Sequence, residues 1–303
     1  MKGQSRRPRH APRACVHAFE DSLRFGRQLA RRLGIGCSSI ACHRFPDAES
    51  LVRIRPPAGA HAIVVRALHD PNRKLVEVLL AADALRRAGA RRVTLVAPYL
   101  PYMRQDAVFA PGEAISQRVI GALLGHACDA VLTIEAHLHR VTTLAAVVGR
   151  GGRSLSAAPA LARWLQRGGS APLVVGPDAE SAPWVGAIGR AARVRWVVGR
   201  KHRLSDRRVH IELPPLPAVR RAVIVDDIAS SGVTLAAAAR ALRRAGVATV
   251  DAVVVHAIFA PGALARIRRA GIRHVVSCDT IPHPTNAIPV APLLAAALRA
   301  RRP

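Results

Sequence analysis

The sequence contains few aromatic, lysine or acidic residues. Phe, Trp and Tyr together make up 3% of its 303 residues, which leaves few rings for stacking on nucleic-acid bases. Three lysines accompany 43 arginines, and 19 acidic residues leave a formal net charge of +27. Because the arginines are spread along the polar faces of predicted helices and form no cluster, the composition argues against nucleic acid as a partner.

Long hydrophobic runs and a disulfide pattern are also missing. Apolar runs such as 62–65 and 252–255 fall far short of the roughly 20 residues that a membrane-spanning helix requires. Five cysteines form no Cys-x-x-Cys motif and no even number, so we expect reduced thiols in a soluble, cytoplasmic protein. Residues 1–14 are basic and lack the apolar centre of a secretory signal, which predicts a disordered extension, with an organellar targeting segment as the alternative.

What the chain does contain is an alternation of short β-branched strands with helices rich in Ala, Leu and Arg. Strands are predicted near residues 62, 92, 130, 172, 195, 222 and 251, with helices between them, for example 71–88, 113–125 and 233–245. This alternation predicts an α/β fold with mostly parallel sheets flanked by helices. The length suits two domains, which we place at 15–150 and 151–303 because the Gly-rich segment 149–159 is typical of a linker. Both halves repeat strand, loop and helix units, as an ancient duplication would produce.

The sharpest motif is AVIVDDIASSGVTLAAAARAL at 222–242, in which a buried strand ends in two carboxylates and a hydroxyl-rich turn leads into a helix. Backbone N–H groups and the hydroxyls of this turn would meet at a helix N-terminus, where a phosphate is favoured. The adjacent acids, Asp226 and Asp227, could accept hydrogen bonds from sugar hydroxyls or help to hold a metal ion. The alternative is an ordinary N-cap with solvated acids, which explains a paired Asp at a strand end poorly. The motif therefore predicts a sugar-phosphate site.

VDDIASSGVTL resembles the phosphoribosyl-diphosphate loop of type I phosphoribosyltransferases and ribose-phosphate pyrophosphokinases. The segment 70–124 is similar to the pyrophosphokinases almost throughout, and simple phosphoribosyltransferases have no such segment. The resemblance extends from Phe45 to the end, with its motifs in the family's order. It implies two phosphoribosyltransferase-like domains, the first with the motifs of an ATP site and the second with the loop for ribose 5-phosphate.

The resemblance assigns an ATP site to two segments of the first half. Arg104, Gln105 and Asp106 match an Arg-Gln-Asp run of that site, and a guanidinium is suited to a triphosphate because it binds phosphate oxygens bidentately. Taken alone, Gln105 and Asp106 could equally belong to a polar loop. The segment FPDAE matches a motif that contacts the nucleotide base from a neighbouring subunit, which implies a homo-oligomer and assigns ATP contacts to Phe45, Asp47 and Glu49.

Two further segments resemble the family's magnesium ligands. In IEAHLHR, His137 matches a histidine that coordinates Mg²⁺ with the nucleotide, and Glu135 replaces the family's Asp. From chemistry alone a structural histidine would be the better interpretation, because Mg²⁺ prefers oxygen ligands. His139 matches no family role. In GPDAES, Asp178 matches a carboxylate on the ribose-phosphate side of the metal site, and Glu180 stands where the family usually has glycine, which could narrow the site.

The segment VVGRKHRLSDRRVHIEL resembles the family's mobile catalytic loop. Lys201 and Arg203 occupy its Lys-x-Arg positions, and lysine is conspicuous at 201 in a chain that otherwise uses arginine. A compact ammonium group can stabilise negative charge that develops on a diphosphate in transfer. The alternative is a solvated basic loop.

The resemblance implies that the chain transfers a diphosphate from Mg-ATP to ribose 5-phosphate, with no residue acting as a nucleophile. Asp226 and Asp227 would bind the ribose hydroxyls, and the 5-phosphate would be held by Ser230, Ser231, Gly232 and Thr234. Val233 stands where the family usually has a second glycine, and a β-branched residue does not readily adopt positive φ. The alternatives are a catalytically weak family member that binds nucleotides or regulates a partner subunit, and a phosphoribosyltransferase.

Overall fold

The computed structural model describes residues 13–168, 171–205 and 208–300. Its strands are β1 (Ala14–Phe19), β2 (Gly36–Arg44), β3 (Ser50–Arg53), β4 (His61–Val65), β5 (Arg92–Val96), β6 (Ala130–Ile134), β7 (Gly152–Leu155), β8 (Leu173–Gly176), β9 (Trp196–Val198), β10 (Arg200–Ser205), β11 (Arg208–Glu212), β12 (Arg221–Ala229), β13 (Thr249–Ala257), β14 (Ile272–Cys278) and β15 (Asn286–Ile288). Its helices are α1 (Leu23–Leu33), α2 (Pro71–Arg87), α3 (Ser116–Ala127), α4 (Ala145–Val148), α5 (Ala158–Gln166), α6 (Ala182–Ala192), α7 (Val233–Arg244), α8 (Ala263–Arg269) and α9 (Ala291–Arg299), with short 3₁₀ turns at Glu20–Ser22 and Ala179–Ser181.

These elements form two mostly parallel sheets flanked by helices, which confirms the predicted α/β fold. Among the described strands, seven form one sheet in the order β3-β2-β1-β4-β5-β6-β7, and six form a second in the order β15-β14-β13-β12-β8-β9. The β2–β3 pair is antiparallel, and the other neighbours in both sheets are parallel. β10 and β11 form a separate antiparallel hairpin.

The two sheets share one connectivity. Without β3, the first sheet has the order β2-β1-β4-β5-β6-β7, and the second has the order β9-β8-β12-β13-β14-β15, so strands with the same rank along each half take the same position. In the first half the second strand, β2, forms an antiparallel hairpin with β3. In the second half the antiparallel hairpin β10–β11 directly follows the second strand, β9. The repetition is what an internal duplication would produce.

The change from the first sheet to the second comes later than the predicted boundary at residue 150. β7, at 152–155, pairs with β6, so the segment 149–159 contains a strand of the first sheet and the start of α5 instead of a linker. Its glycines serve close packing, because a Cβ at Gly151 would overlap the backbone of Asp129 and a Cβ at Gly152 would overlap Val148. Residues 1–12 of the predicted extension lie outside the described residues, and β1 already begins at Ala14.

The two sheets share a hydrophobic core. Val16 and Leu132 of the first sheet belong to the same buried cluster as Val174 and Val223 of the second. The last helix, α9, packs against α1, so the end of the chain returns to the first half. Because close-packed interiors resist relative movement, this arrangement fixes the carboxyl ends of the two sets of strands relative to each other.

In the described parts of the chain no helix is both long and apolar enough to cross a membrane. All five cysteines are free thiols. Cys15, Cys128 and Cys278 are buried, and burial raises the pKa of each thiol, for Cys128 to about 12. These three cysteines therefore act as small apolar core residues.

Candidate active site

A cleft of about 430 Å³ lies at the carboxyl ends of β6, β8 and β12. Its lining comes from both halves, with Arg104 and His137 from the first and Asp178, Lys201 and 226–235 from the second. In the second sheet β8 and β12 are neighbours, although β9 to β11 separate them in sequence, so the strand order reverses between them. Ligands of open α/β sheets bind at such a reversal, outside the carboxyl ends of the strands.

The hydroxyl-rich turn 230–232 lies between β12 and α7, and Thr234 lies in the first turn of that helix, as predicted. Gly232 precedes the helix with φ +73°, and a Cβ there would lie 2.9 Å from the side chain of Ile267, so both the backbone and the packing require glycine. Val233 is the first residue of α7 and has helical backbone conformation, so the positive φ falls on Gly232 instead. The substitution of the family's second glycine therefore does not strain this turn.

Asp226 and Asp227, at the end of β12, have opposite electrostatic environments. Burial, with the adjacent charges of Asp227 and Asp178, raises the pKa of Asp226 well above its usual value. Burial also raises the pKa of Asp227, but a hydrogen bond from His137 and the charge of that imidazole outweigh it and lower the pKa. The cleft thus holds one carboxylate that is ionised against a histidine and one that lacks sufficient positive charge around it.

His137 contacts the acid pair directly. Its Nδ1 lies 2.5 Å from Oδ2 of Asp227, across the boundary between the two halves. The turn that presents His137 begins at Glu135, which has φ +38°. The carboxylate of Glu135 accepts hydrogen bonds from the backbone N–H of Ala157 at 2.7 Å and from the hydroxyl of Ser156 at 3.1 Å. The longer side chain that replaces the family's Asp therefore anchors the turn to the start of α5.

His256 is a part of the site that the sequence reasoning missed. Its ring is buried, with Nε2 at 3.2 Å from the backbone oxygen of Glu135 and Nδ1 at 2.9 Å from the hydroxyl of Thr280. It also contacts Tyr99 edge-to-face with ring centroids 5.0 Å apart. Burial lowers the pKa of His256 to about 4, so the ring is neutral at pH 7. The only sign of His256 in the sequence was that one polar residue interrupts the apolar run AVVVHAIF.

His139, which matches no family role, and Glu180, which stands where the family usually has glycine, meet at the same cleft. Nδ1 of His139 lies 3.7 Å from Oε1 of Glu180. Nε2 of His139 is in close contact with Nε2 of His137, and the two ring centroids are 4.1 Å apart. A continuous row of polar groups therefore runs from Asp227 through both histidines to Glu180.

Asp178 and Lys201 also face the cleft and contact each other. Nζ of Lys201 donates to Oδ2 of Asp178 at 2.7 Å, and Oδ1 of Asp178 accepts from the backbone N–H of Ser181 at 3.3 Å. Lys201 lies on β10, the first strand of the separate hairpin. Arg203 follows on the same strand, and its side chain lies outside the described residues.

The three residues of the predicted Arg-Gln-Asp run are placed differently. Arg104 lines the cleft, whereas Gln105 donates to Glu113 at 2.9 Å and Asp106 is buried beside the cleft. Asp106 accepts hydrogen bonds from the guanidinium of Arg140 at 2.6 Å and from its backbone N–H at 3.2 Å. Burial raises the pKa of Asp106, and the contacts to Arg140 lower it by more. Asp106 thus fixes the far end of the loop that carries both histidines.

The predicted base-contacting residues Phe45, Asp47 and Glu49 lie away from the cleft, on the tip of the β2–β3 hairpin. They are exposed, and 39% of the Phe45 surface is accessible. The tip is a tight turn in which the backbone N–H of Phe45 donates to the oxygen of Glu49 at 2.9 Å, and the carboxylate of Asp47 accepts from the N–H of Glu49 at 3.1 Å. An exposed, ordered tip is compatible with the predicted contact to a second copy, which stays a prediction.

Comparison with known protein families gives matches to both halves. The N-terminal domain of ribose phosphate pyrophosphokinase matches residues 15–127, and the phosphoribosyl transferase domain matches residues 148–295. Both matches therefore include segments that line the cleft.

Individual proteins match over nearly the whole chain. Ribose-phosphate pyrophosphokinase from Methanopyrus kandleri is 32% identical over 287 residues, which are 93% of this chain and 98% of that protein. Ribose-phosphate pyrophosphokinase 2 from Archaeoglobus fulgidus is 32% identical and covers 89% and 94%, respectively. The crystal structure of phosphoribosylpyrophosphate synthetase from Mycobacterium smegmatis superimposes with a TM-score of 0.81 at 24% identity, covering 95% of this chain and 98% of that one. That similarity shows a common fold.

Proposed function

The chain belongs to the ribose-phosphate pyrophosphokinase family, and we propose that it transfers the β,γ-diphosphate of ATP to the anomeric hydroxyl of ribose 5-phosphate. The products would be phosphoribosyl diphosphate and AMP. The observation that carries the proposal is one cleft in which a phosphate-type loop, a carboxylate pair and the cations Arg104 and Lys201 converge.

In this proposal the turn before α7 holds the 5-phosphate. The first N–H groups of a helix have no partner within the helix and carry its positive dipole end, which favours an anion. The surrounding side chains add hydroxyl donors, and the residues assigned to this role are Ser230, Ser231, Gly232 and Thr234. Asp226 and Asp227 would accept hydrogen bonds from the ribose hydroxyls and so orient the sugar.

The transfer step needs positioning and positive charge. The anomeric oxygen attacks the β-phosphorus, the bond from that phosphorus to the oxygen of AMP breaks, and the hydroxyl proton leaves to solvent. Arg104, Lys201 and Arg203 are assigned to the diphosphate, where cations stabilise the charge of the transition state. For Lys201 this requires release from Asp178, with which it now forms an ion pair at 2.7 Å.

The donor set fits the Mg²⁺ that the family resemblance implies. In the described residues no group of three His, Cys, Asp or Glu side chains could hold a metal ion alone. Mg²⁺ is commonly bound by one or two protein ligands together with substrate phosphates and water, and Asp178 and His137, which both line the cleft, would take this role. When bound, the ion would neutralise charge on the ATP phosphates.

The nucleotide base is assigned to a second copy of the chain. Phe45, Asp47 and Glu49 are exposed on the hairpin tip and lie outside the cleft of their own chain, so they would reach ATP only across a subunit interface. Gln105 and Asp106 would support the nucleotide site from their own chain. The proposal therefore includes a homo-oligomer, and the free thiols suit a cytoplasmic location.

The proposal is tested by ³¹P NMR of the purified protein with Mg-ATP and ribose 5-phosphate. We expect signals of AMP and of a sugar-linked diphosphate, with the rate reduced at least about 100-fold in Lys201→Ala. A matched control is Lys74→Ala, which removes a lysine outside the cleft and should retain turnover in the folded fraction. Intact ATP in the presence of both bound ligands would instead favour the nucleotide-binding, regulatory family member.

A further inference from the structure

The two halves of the chain repeat each other in their loops as well as in their strand order. A 3₁₀ turn follows the first strand of each half. When the hairpin strands β3, β10 and β11 are left out, an acid follows the fifth strand of each half, Glu135 after β6 and Asp279 after β14. Each acid accepts a hydrogen bond at 2.7 Å from the backbone N–H directly before the following helix, from Ala157 and from Val290, respectively. The equivalence therefore extends to individual contacts.

This equivalence relates the cleft to another cavity. The cleft takes the loops after the first and third strands from the second half, and the loop after the fifth strand from the first half. A cavity of about 560 Å³ is built from the same three loops with the halves exchanged, and its lining includes 20–22 after β1, Ala67 after β4 and residues within 279–284 after β14. We call it the second cavity. Among the described residues it shares no lining residue with the cleft.

The second cavity presents polar groups that are free to bind. Nδ1 of His283 accepts a hydrogen bond from the backbone N–H of Thr285 at 3.2 Å, and burial lowers the pKa of His283, so the neutral ring carries its proton on Nε2. The ring packs against Phe259 with centroids 5.2 Å apart. Among the described residues, Nε2 of His283 has no hydrogen-bond partner. The same is true of Oδ2 of Asp279 and of the amide of Gln28.

Much of the remaining wall is apolar. Phe25 and Ile288 contribute to it together with four prolines, which are Pro98, Pro282, Pro284 and Pro289. The faces of the Phe25 ring and of the proline rings suit a planar ring packed against them. Cavities that bind small molecules commonly have volumes of about 300–1,000 Å³, lie between domains and combine apolar walls with a few polar groups. The second cavity has all of these properties.

The second cavity lacks the element that the cleft would use for phosphate. Its loop after the third strand contributes only Ala67, and the nearby cations Arg66 and Lys74 are paired with Asp21. Although the chain has a formal net charge of +27, the lining has three acids and one arginine, namely Glu20, Asp21, Asp279 and Arg24. This excess of carboxylates disfavours a phosphate and favours a ligand that donates hydrogen bonds.

We propose that the second cavity binds an unphosphorylated nucleoside, a planar ring that carries hydroxyl and N–H donors. The ring would pack against Phe25 and the prolines. A ribose hydroxyl or an exocyclic N–H would donate to Asp279, and an acceptor on the base would bind Nε2–H of His283. The inference goes beyond the proposed transfer reaction, which takes place in the cleft.

The test is isothermal titration calorimetry of the purified full chain with adenosine. His283→Phe keeps a ring against Phe259 but loses the N–H, and Asp279→Asn keeps an oxygen for the N–H of Val290 but loses the charge. We expect saturable binding by the wild type and an affinity at least about 10-fold lower in each variant, since each loses a hydrogen bond to the ligand. The control is Asp83→Asn, which changes an exposed acid on α2 outside the second cavity and should bind adenosine like the wild type.

A further variant separates the second cavity from the proposed nucleotide site. Phe45→Ala should still bind adenosine, because Phe45 lies outside the lining of the second cavity. In competition with adenosine in this variant, AMP should bind at least about 10-fold more weakly, because its phosphate meets the excess of carboxylates. Circular dichroism shows whether each variant is folded.

Three results would overturn the proposal. They are no saturable binding of adenosine by the wild type, binding that is lost in Phe45→Ala but unchanged in both cavity variants, and displacement of adenosine by AMP at an equal or lower concentration. Adenosine binding needs no turnover. If the ³¹P experiment shows no reaction while the cavity variants lose adenosine, the proposed function fails and the second cavity remains a nucleoside site.

Discussion

The same strand-to-helix loop occurs once in each half of the molecule, and the two loops differ in how their charges are compensated. The loop between β4 and α2 and the loop between β12 and α7 have the same rank in their sheets. Both contain a residue with left-handed backbone before the helix, Asp70 at φ 52° and Gly232 at φ 73°. Equivalent strand-to-helix loops therefore precede α2 and α7, and of these two the second lines the cleft.

Beside the loop between β4 and α2, buried acids are neutralised by ion pairs within the chain; we call this the closed loop. Arg66, with 3% of its side chain exposed, contacts Glu77 at 2.5 Å and Asp21 at 3.1 Å, and Lys74 lies 3.4 Å from Asp21. Burial raises the pKa of both acids, but these cations outweigh it and keep both values below the usual range. The guanidinium of Arg66 also lies 3.9 Å from the ring centroid of Phe19. The acids beside this loop are thus paired with cations of the chain itself.

At the loop between β12 and α7, which we call the open loop, the carboxylate of Asp226 is not fully compensated by cations. The pKa of Asp226 is raised by burial and by two neighbouring carboxylates, and Lys201 offsets this only in part. Such a site costs stability in the free protein and favours ligands that bring positive charge or hydroxyl donors. The fold thus places equivalent loops in both halves, and the pairing of their acidic side chains with cations of the chain decides which loop can bind a ligand.

The largest expected effect comes from breaking the closed loop. Arg66→Met should lower the free energy of unfolding by about 3–5 kcal/mol, because it leaves the buried carboxylate of Glu77 without its nearest cation. Affinity for ribose 5-phosphate should stay at the wild-type value in the folded fraction. Urea unfolding and calorimetry measure the two quantities. Unfolding at the wild-type midpoint would show that the ion pairs do not stabilise this loop.

A matched glycine pair sharpens the role of the open loop. Gly232 and Gly262 both precede a helix with positive φ, but a Cβ meets Ile267 at 2.9 Å in the first and nothing within 4 Å in the second. Gly262→Ala should cost about 1–2 kcal/mol of unfolding free energy for the backbone alone. Gly232→Ala should cost roughly 1–3 kcal/mol more. It should also weaken ribose 5-phosphate binding, which Gly262→Ala should not do, and equal binding by both variants would argue against a phosphate at this turn.

His256 connects β13 to the first half through Glu135, and its two ring contacts can be separated by Gln and Asn substitutions. In His256→Gln the amide nitrogen can replace Nε2 and keep the bond to the Glu135 oxygen, whereas in His256→Asn it can replace only Nδ1. We expect kcat/KM to fall about 10-fold in the Asn variant and to recover largely in the Gln variant, as for other orienting contacts. His17→Asn is the control, since His17 is equally buried and bonds to the Ala58 oxygen away from the cleft. Equal losses of activity in all three would indicate a purely structural role.

The uncompensated acid is tested directly by its effect on the stability of the ligand-free protein. Asp226→Asn should abolish turnover yet raise the free energy of unfolding of the ligand-free protein at pH 7. Because the pKa of Asp226 is raised in the folded state, the folded state retains a proton that the unfolded state has already lost, and this costs stability once the pH exceeds the unfolded pKa. The gain should be absent well below the unfolded pKa of about 3.9, grow as pH rises through it, and level off above the folded value. Urea midpoints across this pH range would contradict the account if the variant were less stable at pH 7.

The sequence predicts much of the fold because strongly apolar strands and amphipathic helices leave clear periodic patterns. β12 and α7 were predicted within a residue or two, since 222–225 are apolar and a hydroxyl-rich turn follows. The segment 149–159 was predicted wrongly, because glycines that permit close packing and glycines that give a linker look alike in one sequence. The metal-ligand and catalytic-loop motifs were assigned from the family resemblance, because the residue type of His137 alone suggested a structural histidine.

The contacts between the halves could not be predicted. His137 and Asp227 are 90 residues apart, and His256 and Glu135 are 121 apart, so no local pattern connects them. The same holds for His139 and Glu180, which are 41 residues apart and approach each other only in the folded chain. The ion pairs of Asp21 with Arg66 and Lys74 could not be predicted from the sequence either, because its arginines are spread along the whole chain.

Isothermal titration calorimetry with ribose 5-phosphate tests most directly which of the two loops binds the sugar phosphate. The wild type, Asp227→Asn and Asp21→Asn form the comparison, with circular dichroism to confirm that each variant is folded. We predict that binding weakens at least about 10-fold in Asp227→Asn, which loses a charged partner in the cleft, and is unchanged in Asp21→Asn. Binding that survives in Asp227→Asn and disappears in Asp21→Asn would place the ligand in the first half and contradict the account.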